Sequence, residues 1–198
     1  MNIKASSLAG LVAIGLFSFA CGGDAPAGSA AAAGSTAQSG AQAGRPNAIN
    51  AASPTPEIEA ATRAIAALGP HKQASYPPIP FQSYAPPRPP DVVTAAFQFA
   101  AEHPEIAAYV PCFCGCQQGG HRGNHDCFVR SRAANGDVLE WEEHGVECAV
   151  CIDVATRSRQ LLSSGASVND IRAAIEREFV PSSSTMTPTP KPPAAHSH

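Results

Sequence analysis

Pro111-Cys112-Phe113-Cys114-Gly115-Cys116 decides how the rest of the chain is read. Cysteine stands at every second position, a density that neither an apolar strand nor an ordinary disulfide framework requires. His121, His125 and Cys127 follow, then His144, Cys148 and Cys151. Six of the seven cysteines and three of the seven histidines of this 198-residue chain fall between Cys112 and Cys151. Thiolate and imidazole are the side chains that bind soft and borderline metals best. In an extended strand the motif's three sulfurs would face one side, about 6.5 Å apart per step. That is too far to share an ion that sits about 2.3 Å from each. Gly115 can adopt positive φ and bend the chain so that sulfurs converge, and Gly119-Gly120 supply a second bend before His121. With so little apolar content, the loop needs covalent or coordinate bonds to offset its entropy.

Both flanks of the loop have helical periodicity. Upstream, Asp91 is placed to cap a helix to about Glu102, with Val92, Val93, Ala96, Phe99 and Ala100 on its buried face. His103-Pro104 ends it. His103 reads as a residue at a helix C-terminus, where a partly positive imidazole is favoured, rather than as a ligand. Pro104 to Val110 adds a helical turn or two. Downstream, Cys148-Ala149-Val150-Cys151 puts two sulfurs on one face at the start of a helix that runs to Gly165. The helix dipole there is expected to lower thiol pKa. A second helix starts at Ser167, with Asp170 as its capping-box acid, and Pro181 ends it. Between the flanks, Asn135-Gly136 separates two apolar runs and predicts a β-hairpin. Trp141 is expected to pack near the cysteines. The fold class is therefore mainly α: a small helical domain over 91–180, with a Cys/His-rich loop, a short β-hairpin and a C-terminal αα-hairpin.

The ends have a different composition. Lys4, the apolar run Leu8 to Ala20, and Cys21 predict a signal peptide over 1–20. Ser18-Phe19-Ala20-Cys21 favours lipid on Cys21, which would anchor the protein to a membrane at the cell envelope, outside the cytoplasm, over a plain secretory signal cleaved near Ala20. Residues 21–55 read as a low-complexity tether. Residues 56–90 read as a short helix, Pro56 to Leu68, followed by a proline-rich collar whose aromatics pack on the domain. Residues 181–198 are rich in Pro, Ser and Thr and are expected to be disordered, with His196 and His198 solvated. From Asp91 to Val180 there are seven Arg, no Lys and thirteen acidic residues, a net −6 with His neutral. That balance excludes nucleic acid as a partner and suits cations.

Pro-Cys-Phe-Cys-Gly-Cys with His121, Asp126-Cys127-Phe128, Trp141, His144-Gly145 and Cys148-x-x-Cys151 resembles the bacterial PCYCGC-motif proteins. The likeness extends from about Tyr76 through Val180 and includes Phe99-Ala100-Ala101-Glu102-His103-Pro104-Glu105. Phe113 stands where the family usually has Tyr. His125 matches no family motif position and ranks below His121 and His144. The resemblance implies an exported protein, often a lipoprotein, of no established function.

Three functions compete. The first is binding of a thiophilic metal through Cys112, Cys114, Cys116, His121, Cys127, His144, Cys148 and Cys151, with no catalytic role. Copper as Cu(I) is the first choice, zinc the next and an iron–sulfur cluster the third. Met1 lies in the signal segment and Met186 in the tail, so no thioether is expected at the site. The second is a binding module stapled by three disulfides in one of fifteen connectivities. The third is a thiol–disulfide enzyme using Cys148 and Cys151, for which the usual βαβ surround is missing. Signatures of hydrolases and of P-loop enzymes are absent.

Overall fold

The computed structural model describes residues 52–194. The signal segment, Cys21, the tether up to residue 51, and His196 and His198 lie outside the described residues. Helix α1 spans Pro56–Ala66, α2 Pro90–Glu102 and α3 Pro104–Ala107. Strands β1 (Val129–Arg132) and β2 (Val138–Trp141) form an antiparallel hairpin. Helices α4 (His144–Glu147), α5 (Ala149–Ser163) and α6 (Val168–Phe179) complete the regular elements, with 3-10 turns at Cys116–Gly119, His125–Cys127 and Val180–Ser182. The architecture is mainly α, as the periodicity predicts. Among the described residues no helix is long and apolar enough to cross a membrane.

Helix α2 packs on α5, which packs on α6. The α2 face buries Val93, Ala96, Phe97, Phe99, Ala100 and Ala101. Pro89 occupies the N-cap position of α2 and Asp91 lies inside the first turn, so Asp91 is not the cap expected. A proline pair sets this start: Pro90 loses no helical hydrogen bond in the first turn. Ser167 does cap α6, accepting from the Asp170 N–H at 3.2 Å. In the hairpin, Gly136 has φ +95°, which the turn requires. Phe97 sits edge-on to both Phe128 and Trp141, with ring centroids 5.0 and 5.3 Å apart. Large aromatic faces held this way make an apolar centre that does not depend on the cysteines.

The collar lies along this centre. Tyr76 stacks on Trp141, and the Trp141 indole donates to the Pro77 carbonyl at 2.8 Å. Gln73 continues the hairpin by accepting from the Val138 N–H at 2.6 Å. Arg88 grips Asp153 of α5 through two nitrogens. Phe81 and Tyr84 remain exposed.

The expectation of a disordered tail fails for residues 183–194. Thr187 is fully buried, and Thr189 and Pro190 are buried with it. The buried Arg172 guanidinium of α6 donates to the carbonyls of Tyr109, Thr189 and Pro190 at 2.7–3.2 Å. Composition misleads here because the segment is held by hydrogen bonds from Arg172, through its threonine hydroxyls and to the Cys112 backbone, and not chiefly by apolar side chains. Met186 packs against the core, so the tail is not remote from the cysteine loop.

Candidate metal centre

The end of α3 delivers Cys112 to the interior. Gly115 at φ +82° and Gly120 at φ +91° then turn the loop back twice, which glycine does without the cost a Cβ would impose. Cys127 enters on the 3-10 turn that precedes β1, and His144 on α4. Cys148 is the N-cap of α5 and Cys151 lies in its first turn.

These routes converge. The Cys151 sulfur lies 3.0 Å from that of Cys112, 2.8 Å from that of Cys148 and 3.5 Å from that of Cys114. Cys112 and Cys114 sulfurs are 3.4 Å apart, and those of Cys116 and Cys127 3.7 Å. His144 Nε2 stands 3.4 Å from the Cys114 sulfur and 3.8 Å from that of Cys151. Among the described residues all six cysteines are outside any disulfide. Two sets of four donors have every donor atom within 4.8 Å of the others: Cys112, Cys114, Cys116 and Cys127, and Cys114, Cys127, His144 and Cys151. Sulfurs of one tetrahedral ion at about 2.3 Å stand roughly 3.8 Å apart, so the 3.4–3.7 Å spacings within the two sets suit metal ligation, whereas the 2.8 and 3.0 Å contacts of Cys151 with Cys148 and Cys112 join no common set.

Of the residues singled out from sequence, His121 and Cys148 fall outside both sets. The His121 ring packs edge-on against His144 with centroids 5.5 Å apart, and its buried Nδ1 has no hydrogen-bond partner. Cys148 belongs to neither set, although its sulfur lies 2.8 Å from that of Cys151. His125 is a buried core residue, bonded to Asp126 and Arg132, and burial pushes its imidazole below its ordinary pKa. His103 sits at the C-terminal cap of α2, its ring 3.0 Å from Glu105.

The thiols differ in charge state. Contacts with Cys112 and then Cys116 hold the Cys114 thiol far below its ordinary range. Its neighbour His144 is pushed up to about 10, by Cys114 first and Cys148 second. Cys151 is pushed up instead by Cys112 and Cys114. Cys112, Cys127 and Cys151 are fully buried, while Cys114, Cys116 and Cys148 are half-exposed. A cleft of about 310 Å³ is lined by His121, Arg122, Arg130 and Arg132.

Sequence reading misses three residues that hold the centre. The side-chain amide of buried Asn124 donates to the Cys151 carbonyl at 3.2 Å, and its N–H donates to Val110 at 2.8 Å. Gly145 lies so close to Cys127 and Phe128 that a Cβ there would meet the Cys127 carbonyl at 2.5 Å. Thr187 clasps the backbone of Cys112. The position of Gly145 directly after His144 is the one signal that marks any of them.

No curated protein and no solved structure matches the chain. A family model described as a protein of unknown function with PCYCGC motif matches residues 85–192, more than half of the chain and the tail segment with it. The protein therefore belongs to the PCYCGC-motif family, whose function is unknown.

Proposed function

We propose that this is an exported, lipid-anchored protein that binds a thiophilic metal, Cu(I) first and Zn(II) second, in the service of metal handling at the cell envelope. One observation carries the metal reading. Cys114, Cys127, His144 and Cys151 bring four ligand atoms within 4.8 Å of one another. A disulfide staple needs cysteines in pairs, whereas three sulfurs and an imidazole gathered at one point suit coordination. No carboxylate belongs to either set of four donors, and such a soft donor set favours copper(I) over harder ions. The net −6 of the domain favours cation approach. Export and anchoring are supported by the sequence of Lys4, the apolar run and Cys21.

Native mass spectrometry of the full-length chain, purified in detergent without oxygen and then alkylated under denaturation, tests this reading. The expected result is bound metal, with thiols that become reactive only after metal removal. A metal-free chain with three disulfides, which takes up neither Cu(I) nor Zn(II) after reduction, would overturn it and favour the stapled module.

A further inference from the structure

We propose that Cys148 and Cys151 form a thiol–disulfide pair that an organic disulfide oxidises in the metal-free centre, and that their bond withdraws Cys151 from the donor set containing His144. This rests on the metal-binding reading above and adds a redox control to it.

The Cys148 and Cys151 sulfurs lie 2.8 Å apart. Sulfur ligands of one tetrahedral ion stand roughly 3.8 Å apart, so this contact is not a ligand spacing. A disulfide bond is about 2.05 Å long, which the two sulfurs reach by closing less than about 1 Å. Cys148 is the N-cap of α5, with extended backbone, and Cys151 follows in the first turn, so their side chains meet at the helix start. The two thiols differ in access. Cys148 is half-exposed, whereas Cys151 is fully buried. A disulfide arriving from solvent therefore meets Cys148 first, and Cys151 is placed to resolve the mixed disulfide. Cys112 lies nearly as close to Cys151, at 3.0 Å, but is itself fully buried, so exchange cannot start there. Of the six cysteines, Cys148 alone belongs to neither four-donor set, while Cys151 belongs to one. Metal binding by these sets gives Cys148 no part; pairing with Cys151 gives it one.

The exchange takes two steps. The Cys148 thiolate attacks one sulfur of the organic disulfide RS–SR, forming a mixed disulfide and releasing RS⁻. The Cys151 thiolate then attacks the Cys148 sulfur, closing the intramolecular bond and releasing the second RS⁻. The protons of the two protein thiols pass through solvent to the released thiolates. Two electrons leave the pair, and RS–SR is reduced to two RSH. A sulfur held in that bond is no longer a thiolate ligand. Cys114, Cys127 and His144 are then one donor short of four, while Cys112, Cys114, Cys116 and Cys127 remain complete. Oxidation thus takes His144 out of metal binding and leaves the all-cysteine set.

Disulfide exchange on the reduced, metal-free, full-length chain tests this, with oxidised glutathione as the organic disulfide and acid quenching before alkylation. Trypsin releases residues 133–157, which contain Cys148 and Cys151 and no other cysteine. That peptide should be unalkylated and lighter by two hydrogens than its dithiol form, and a dithiol reductant should reverse the change. Zn(II), which has no redox chemistry, reads the second half. It should shift the His144 side-chain NMR signals in the reduced chain and leave them in place in the oxidised one. Cys151→Ser should stop the exchange at a mixed disulfide on Cys148. A wild-type peptide alkylated at both cysteines, a lasting mixed disulfide, or a Cys112–Cys151 cross-link overturns the redox pair and leaves metal binding standing. His144 signals that zinc shifts in both forms, or in neither, overturn the withdrawal of Cys151. A reduced chain that takes up neither Zn(II) nor Cu(I) overturns the metal-binding reading and the withdrawal with it, while the peptide mass still decides the pair. The wild-type peptide does so even if Cys151→Ser fails to fold.

Discussion

Thr187 and Cys112 are joined by two hydrogen bonds: the Thr187 N–H donates to the Cys112 carbonyl at 2.9 Å, and the Cys112 N–H donates to the Thr187 hydroxyl at 2.8 Å. The first cysteine of the motif is thus pinned by a residue 75 positions away in the tail. Thr187→Val keeps the shape and removes the acceptor, leaving a buried N–H unpaired. The expected loss is about 1–3 kcal/mol of stability, read by thermal or denaturant unfolding. Thr185→Val, at a half-buried site with a 3.4 Å bond to Phe113, should cost less. Equal losses in the two variants would show that the Cys112 clasp has no special weight.

Arg172 holds the same segment from the other side. Its guanidinium serves the carbonyls of Tyr109, Thr189 and Pro190 while pairing with Glu176 at 2.6 Å. A lysine has the charge without the planar fork, so Arg172→Lys cannot reach three carbonyls from two directions. We expect protease cleavage within residues 183–194 to accelerate in Arg172→Lys, with α2 and the hairpin still protected. An unchanged digestion pattern would mean that the tail is held without the guanidinium.

Gly145 sets the distance between α4 and the turn that bears Cys127. An added Cβ would meet the Cys127 carbonyl at 2.5 Å, Phe128 at 2.7 Å and Phe97 at 2.9 Å. Two of these belong to the aromatic centre, which cannot yield without moving Cys127. Gly145→Ala should therefore destabilise by about 1–3 kcal/mol, the usual cost of overpacking, and should lower metal content as well. Gly119→Ala, where a Cβ meets nothing within 4 Å, should do neither.

The parts of the fold that follow local rules were legible in the sequence. Ser167 and Asp170 mark the start of α6, Asn135-Gly136 the hairpin, and Cys148-x-x-Cys151 the entry to α5. The neighbourhood of the site was legible too, because six cysteines in forty residues have little other reason to be there. What was not legible depends on contacts distant in sequence. Thr187 lies in a segment whose composition is that of a solvated tail, and its burial comes from backbone hydrogen bonds to Cys112. Arg172 sits on the buried face of α6, where helical periodicity expects an apolar residue, because its carbonyl partners come from two other segments. The separation of His121 from the four-donor sets depends on the 3-10 turn at Cys116–Gly119, which the spacing of cysteines does not reveal.

Metal removal should loosen the loop without unfolding the domain. Cys112 to Cys127 contains four cysteines and four glycines, and Cys114 through Gly120 has no buried residue. Without coordinate bonds, little but the short turn at Cys116–Gly119 opposes the entropy of that stretch. The rest of the domain is held differently. Phe97, Phe128 and Trp141 pack ring against ring, α5 buries Ile152, Val154 and Ala155, and α6 buries Ile171 and Ile175. None of these contacts passes through a sulfur. Hydrogen exchange of the reduced chain, with metal and after chelation, should therefore rise at residues 114–121 and change little in α2, α5 and α6. Cys114→Ser should reproduce the loop effect in the presence of metal, since it removes a donor common to both sets. Exchange that rises together across α2, α5 and the loop would mean that metal binding supplies the folding energy of the whole domain. Exchange that stays the same everywhere would mean that the loop is held by its backbone and that the thiols are free for another chemistry.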